Sequence, residues 1–592
     1  MAANKNKHGR SAWLLACVMG VGAANAAVYT VGPTGTPGNC THSTIQAAIN
    51  AAAGNPGTDE IRISANQIWP AQALYVENHG VDLIGGFADC ASEMPTAQTE
   101  LSGAGGVSAP VVVVSNTDSH QVRLNRLAIV DGDPAFAMAG SRDGGGIRFL
   151  GPGGLELERV RIADNRASSG GGVFVQSYAA KAPTILAIGD HVQIEDNQAV
   201  EGFGGGIRVV GANLALAGVE TSIRRNSAGN NGGGISASSD WEASIVIASA
   251  GAEADGVIAD NTSLVDGGGI HVWGSYVVRL YTDDPVRPLR LERNTARTGG
   301  AIFAERGANV LLWESIVSDN LSSGSGAALG LDGARIGSYR IPGAAHAPAG
   351  AVACAQPILC NLWENNISRA DSGLPREGAI AKFVGNPSFS TELTLESASV
   401  RNNQGFNLFS DVCSAGGGQC AMDILLSNSE LVGNSVQSLA DLEYGSDLQL
   451  DLCTVAEIGA INAPMFNVGA GLLGLNRSII WQPGRAIIGN SQILNTGHLL
   501  VHDTSQFPPD PGIRSADPRF IDPANGNWQL MPDSPALDSA PVFETPLQDL
   551  ARAPRVVDLP QLINLAGPVD LGAWERQEID VIFIDGFDSL AN

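Results

Sequence analysis

Few residue groupings in this 592-residue chain could make or break a covalent bond. Asp283 and Asp284 stand together in Thr282-Asp283-Asp284-Pro285, with Arg279, Arg287 and Arg290 nearby. Paired carboxylates can hold a hard cation such as calcium, and a base beside them could take an acidified C–H proton. A solvated loop charge is the plainer reading of the same residues. His498 and His502 lie four apart, but with no Glu between them and no helical pattern they do not make a zinc pair. No Cys-x-x-Cys occurs either, so no metal and no cofactor is expected, with calcium the only candidate.

A second set suits binding instead of bond-breaking. Arg148, Phe174, Arg208, Ser236, His271 and Phe303 fall at equivalent points of a recurring pattern, and Trp273 follows His271 by two. Aromatic faces at regular intervals can stack on sugar rings, and interleaved Arg and His can bond hydroxyls. The competing reading is an exposed sheet decorated irregularly, or one covered by a loop.

That pattern must come from elements able to place these residues in line. "DNRASSGGGVFV" (164–175) sets an Asn before three glycines and a short apolar strand, and "DNQAVEGFGGGIRV" (196–209), "RNSAGNNGGGIS" (225–236), "DNTSLVDGGGIHV" (260–272) and "RNTARTGGAIF" (293–303) repeat the order. The steps between Asn165, Asn197, Asn226, Asn261, Asn294 and Asn320 are 32, 29, 35, 33 and 26 residues. Short alternating runs such as "GIRVV" and "GIHVW" are strands, not helices. A strand that returns after so few residues, with no room for a crossover helix, stacks on its previous copy only by coiling. Side chains then alternate, placing Ile147, Val173, Ile207, Ile235, Ile270 and Ile302 in an inward column and the Arg148 set outward. The asparagines are expected to take left-handed turn geometry and to bond their counterparts one coil above and below.

At these residues the chain resembles the right-handed parallel β-helix proteins of the pectate-lyase-like fold. "IVSDN" (316–320) and "GGAIF" (299–303) look like the repeats of polymorphic outer-membrane proteins of the autotransporter type. "DPRFIDPANGNWQLMPDSPALDSA" (517–540) with "DLGAWE" (570–575) is similar to the terminal coils of exported bacterial β-helix proteins. The resemblance implies an all-β, single-stranded right-handed parallel β-helix. Asn116-Thr117-Asp118 matches one motif of the polygalacturonase-like hydrolases, but the paired aspartates and the Gly-His-Gly of that family are missing, which leaves a turn.

The ends complete the organisation. Residues 1–26 read as a secretory signal: Lys5, Lys7 and Arg10, then "AWLLACVMGVGAA", then Ala24-Asn25-Ala26 as the cleavage site. A cap follows over 27–73, in which Ile45, Ala48, Ile49 and Ala52 share one face of a short helix. The β-helix is expected over 74–503, terminal coils over 504–578 and a tail over 579–592. No segment reaches the length of a transmembrane helix. An exported chain allows disulfides, with Cys40–Cys90, Cys354–Cys360 and Cys413–Cys420 the candidates and Cys453 left free. The formal charge of −26 opposes binding to nucleic acid and to polyanionic glycans.

These observations lead to a secreted or cell-surface protein, extracellular or on a bacterial outer surface, mainly non-catalytic and adhesin-like. It would bind polysaccharide or a host or cell-surface glycan along its lateral face. A polysaccharide lyase or glycoside hydrolase with a diverged site is the alternative.

Overall fold

Alternation decides the architecture. In the strand Ile207–Val210, Ile207 and Val209 are fully buried while Arg208 and Val210 are only partly so. The neighbouring strands Val173–Gln176 and Ile235–Ala248 pair with it in parallel, placing Val173, Ile207 and Ile235 in line. This computed structural model describes residues 26–577 apart from 37, 136–141, 179–183, 249–256, 342–346, 350, 356–359, 387, 414–421 and 460–461. The leader, Cys420 and the tail therefore lie outside the described residues.

The molecule is a parallel β-helix. From Leu74 the inward column passes through Val112, Ile147, Val173, Ile207, Ile235, Ile270, Ile302, Leu329, Ala381, Phe409, Ala440 and Phe466 to Ile488. At ~4.8 Å per step this line is roughly 60 Å long. Most coils add two further strands to the same sheet system, and seven add a short fourth strand, from Arg166–Ala167 to Ile367–Ser368. Parallel pairing also joins Val28–Val31 to Thr58–Ser64, and Leu499–Val501 to Ile513–Ser515. The helix Ile45–Ala52 starts at Thr44, whose Oγ1 accepts the Ala47 N–H at 3.3 Å. Its buried Ile45, Ala48, Ile49 and Ala52 extend the core at the first coils.

One buried polar column runs through this apolar interior. Asn165 Nδ2 donates to Asn197 Oδ1 at 3.0 Å, Asn197 to Asn226, Asn226 to Asn261, Asn261 to Asn294 and Asn294 to Asn320 at 3.0–3.1 Å. Each Oδ1 also accepts the backbone N–H of the Asn one coil earlier, and each Nδ2 also donates to a strand carbonyl of that coil or the one before. The ladder continues through Asn366 and Asn403 to Asn434.

The left-handed turn is not on these asparagines. It falls on the residue before each: Asp164, Asp196, Arg225, Asp260, Arg293 and Asp319, with φ of 53–58°. An amide that must lie in the ladder needs its backbone in the coil wall, so the chain reverses one residue earlier, where the side chain faces solvent. Glycine does two jobs in the next turn. Gly232 takes φ +73°, whereas a Cβ on Gly233 or Gly234 would lie 2.5 Å from Gly268 O or 2.7 Å from Gly269 O. The coils approach too closely for any side chain there.

Candidate functional site

The outward residues keep strict register. Phe174 pairs with Arg148 on one side and Arg208 on the other, Arg208 with Ser236, Ser236 with His271, and His271 with Phe303. Register does not make them open. Phe174 is 6% exposed, His271 3% and Phe303 7%. Each strand is entered through a turn that folds back over its first outward position. A Cβ on Gly170 would come 2.9 Å from Phe174 Cβ; the Phe203 ring lies 4.8 Å from the Arg208 guanidinium; Asn231 Nδ2 lies 3.1 Å from His271 Nε2.

Beneath this cover the polar groups satisfy one another. Arg208 donates from Nη1 to Ser236 Oγ and from Nη2 to Ser238 Oγ, both at 2.7 Å. Burial pulls its guanidinium down to about 10. His271 reaches Ser236 Oγ with Nδ1 at 3.3 Å and Glu305 Oε1 with Nε2 at 3.0 Å. Serine, histidine and glutamate in that order suggest a nucleophile relay. The fully buried Ser236 excludes it: its hydroxyl is held by Arg208 and no substrate can approach. Arg148 sits near Asp143, whose carboxyl is raised by burial against the opposing pull of Arg148.

The second outward column is accessible. Trp273 pairs with Glu305 and Glu305 with Asp332 on consecutive coils. Trp273 is partly buried, and its indole N–H meets no acceptor among the described residues. Arg306, left-handed at φ 55°, lies 5.6 Å from the Trp273 ring centroid. Asn386 Nδ2 donates to Asp332 Oδ1 at 3.3 Å, and the exposed Phe389 follows in the same loop. Burial raises the Asp332 carboxyl, with a smaller push from Glu305; burial also raises Asp266, against Arg297. Glu305 and Asp332 follow from the step of two that singled out Trp273, whereas Arg306 and Phe389 depend on loop paths that carry no sequence pattern.

The bond-breaking candidates are not assembled. Thr282 Oγ1 donates to Asp284 O at 2.9 Å and Asp284 Oδ1 accepts the Val286 N–H at 2.9 Å, closing a tight turn. His502 Nε2 is bonded to Arg485 O at 2.7 Å, and His498 occupies a left-handed turn. Asn116 Nδ2 donates to Pro152 O and the Thr117 N–H to Asn78 Oδ1. Cys40 is bonded to Cys90 and Cys354 to Cys360. Cys413 is also disulfide-bonded, and Cys453 is free and buried, its thiol pushed up to about 12 by burial. The grouping of Glu314 with Cys354 and Cys360 offers no metal site, because both sulfurs are in the disulfide and Glu314 is paired with Arg552 at 2.5 Å.

Fold and strip together define a parallel β-helix with an accessible aromatic and charged line along its flank. No protein-family model matches the chain, and no curated protein sequence matches it.

Proposed function

We propose that this protein is an exported, surface-acting β-helix that binds glycan along its lateral face without turning it over. The observation that carries the reading is the Trp273 strip: an accessible indole with a free N–H, flanked by Arg306 and in register with Glu305 and Asp332. An aromatic face beside fixed donors and acceptors suits a hydroxylated ring. The leader-like start, and the resemblance of the repeats to pectate-lyase-like and polymorphic outer-membrane proteins, support export and a surface role. Retention of the purified protein on neutral polysaccharides tests it. Trp273→Ala is expected to weaken retention about 5- to 30-fold, or about 1–2 kcal/mol, with the melting temperature unchanged. Equal retention by variant and parent on every polymer contradicts the proposal.

One observation favours catalysis as a second reading. Asp332 holds a carboxyl raised by burial, with Glu305 in register one coil away, and two carboxyls beside a glycosidic bond are what glycoside hydrolysis needs. Release of reducing ends that Asp332→Asn abolishes would establish it.

A further inference from the structure

A cavity opens where the last coils meet the C-terminal hairpin. The strands Phe520–Asp522 and Asn527–Leu530 form the one antiparallel ladder among the described strands. Phe520, Trp528 and Leu530 pack this hairpin onto Ala456, Ile479 and Leu500 of the coil wall. Between hairpin and wall lies a cavity of about 520 Å³, within the size range of small-molecule sites. Trp481 lines one side and Phe520 and Trp528 the other, the latter two meeting edge to face at 5.2 Å. Glu457, Asp517 and Arg519 complete the lining that matters chemically.

The unused hydrogen-bonding groups define the occupant. Neither indole N–H, of Trp481 or Trp528, meets an acceptor among the described residues, and neither is sealed from solvent. Glu457 is exposed, and its left-handed backbone, φ 51°, sets it at the rim with its carboxylate uncommitted. Asp517 spends Oδ1 on the Arg519 N–H at 2.9 Å and keeps Oδ2. The lining residues thus carry indole donors without a protein acceptor and carboxylate acceptors without a donor, between apolar faces. A hydroxyl both donates and accepts, and a sugar ring carries hydroxyls at its edge and C–H groups on its faces. The carboxylates repel uronates and sulfates. An ammonium would suit an aromatic box beside two carboxylates, and Arg519 of the same lining is paired with Asp533, but an ammonium offers the indoles no acceptor.

We propose that this cavity is a binding site for one ring of a neutral sugar, separate from the Trp273 strip and not dependent on it. Saturation-transfer NMR and calorimetry with neutral mono- and disaccharides test it, using glucuronate and choline as comparison ligands. Saturable binding of a neutral sugar is expected, weakened at least tenfold by Trp481→Ala and severalfold by Glu457→Gln, and unchanged by Trp273→Ala. The exposed Glu457 makes its variant safe for folding, so it decides the matter should Trp481→Ala unfold. Saturation by choline or glucuronate in place of neutral sugars, binding indifferent to Glu457→Gln, or no saturable sugar binding would each overturn the site. Loss of binding in Trp273→Ala would instead move it to the flank.

Discussion

At the scale of single residues, the ladder asparagines dominate because each is fully used in a buried place. Asn226 donates to Ile194 O and Asn261 Oδ1 and accepts two N–H groups from Asn197. Asn226→Ala takes a bond from each of these groups and strips the Asn197 N–H of its acceptor among apolar neighbours, although Asn261 Oδ1 keeps the N–H of residue 226, and a loss of roughly 1–3 kcal/mol is expected by denaturant titration. Asn230→Ala, at a side chain that makes no hydrogen bond, should be close to neutral. Asn226→Asp is the sharper test, since it keeps the shape and removes both donors. A carboxylate there faces carbonyl oxygens, so its pKa rises and the variant should recover stability as pH falls through that raised value toward the ordinary carboxylate range. A variant equally unstable at pH 4 and pH 7 would deny the ladder its donor role. The Asn types and spacing announced this column over 165–320. Asn366, Asn403 and Asn434 escaped because the loop that carries Cys354 and Cys360 stretches one step to 46 residues, which hides the period.

At the scale of elements, the coil-to-coil approach at the glycine turns sets the tolerance of the fold. A Cβ at position 234 would fall 2.7 Å from Gly269 O and 3.0 Å from Asn261 Nδ2, both fixed by the next coil. Gly234→Ala should therefore cost about 1–3 kcal/mol by overpacking, although its backbone angles suit any residue. Gly484 reverses the terms: φ is +86° but nothing lies within 4 Å, so Gly484→Asn, a residue that tolerates left-handed geometry, should cost less. Comparable melting losses at the two sites would show that φ, not proximity, governs these turns. The same turns explain why the outward column could be placed from sequence but its exposure could not. Alternation assigns Phe174 and His271 to the outer side. The folded-back entry turn that buries them is a matter of chain path, and the Gly–Gly–Gly run has no side chain to betray it.

At the scale of the molecule, residues after Ile513–Ser515 turn back along the outside of the stack. Gln548 O accepts from Asn428 Nδ2, Ala573 N–H donates to Thr454 Oγ1, and Arg552 reaches Glu314. From the coil of Ile513 to that of Glu314 is seven strand steps, or roughly 30 Å. Contacts between residues 119 to 238 apart carry no sequence period, so nothing short of the fold reveals this strap. What holds it down titrates. Glu430 is buried, accepting from Ser399 Oγ at 2.6 Å and from the strap's Trp574 Nε1 at 3.2 Å. Burial raises its carboxyl, against Arg401 and Arg340. In the strap itself, burial likewise raises Asp570 and Glu575, and Asp549, around the fully buried Arg555. One guanidinium among three carboxyls leaves protons bound where the unfolded chain has lost them. Raised carboxyls contribute stability that is full below the ordinary carboxylate range and is lost as pH climbs through their folded values, by at most about 1.4 kcal/mol per unit and group. The melting temperature should therefore fall steadily from about pH 5 into the alkaline range. Amide exchange should rise first over residues 540–577, ahead of the coils. Glu430→Gln should flatten part of that slope, because the substituted side chain has no proton to lose. A melting temperature flat across this range, or coils that exchange before the strap, would mean that the strap is held by its apolar contacts alone.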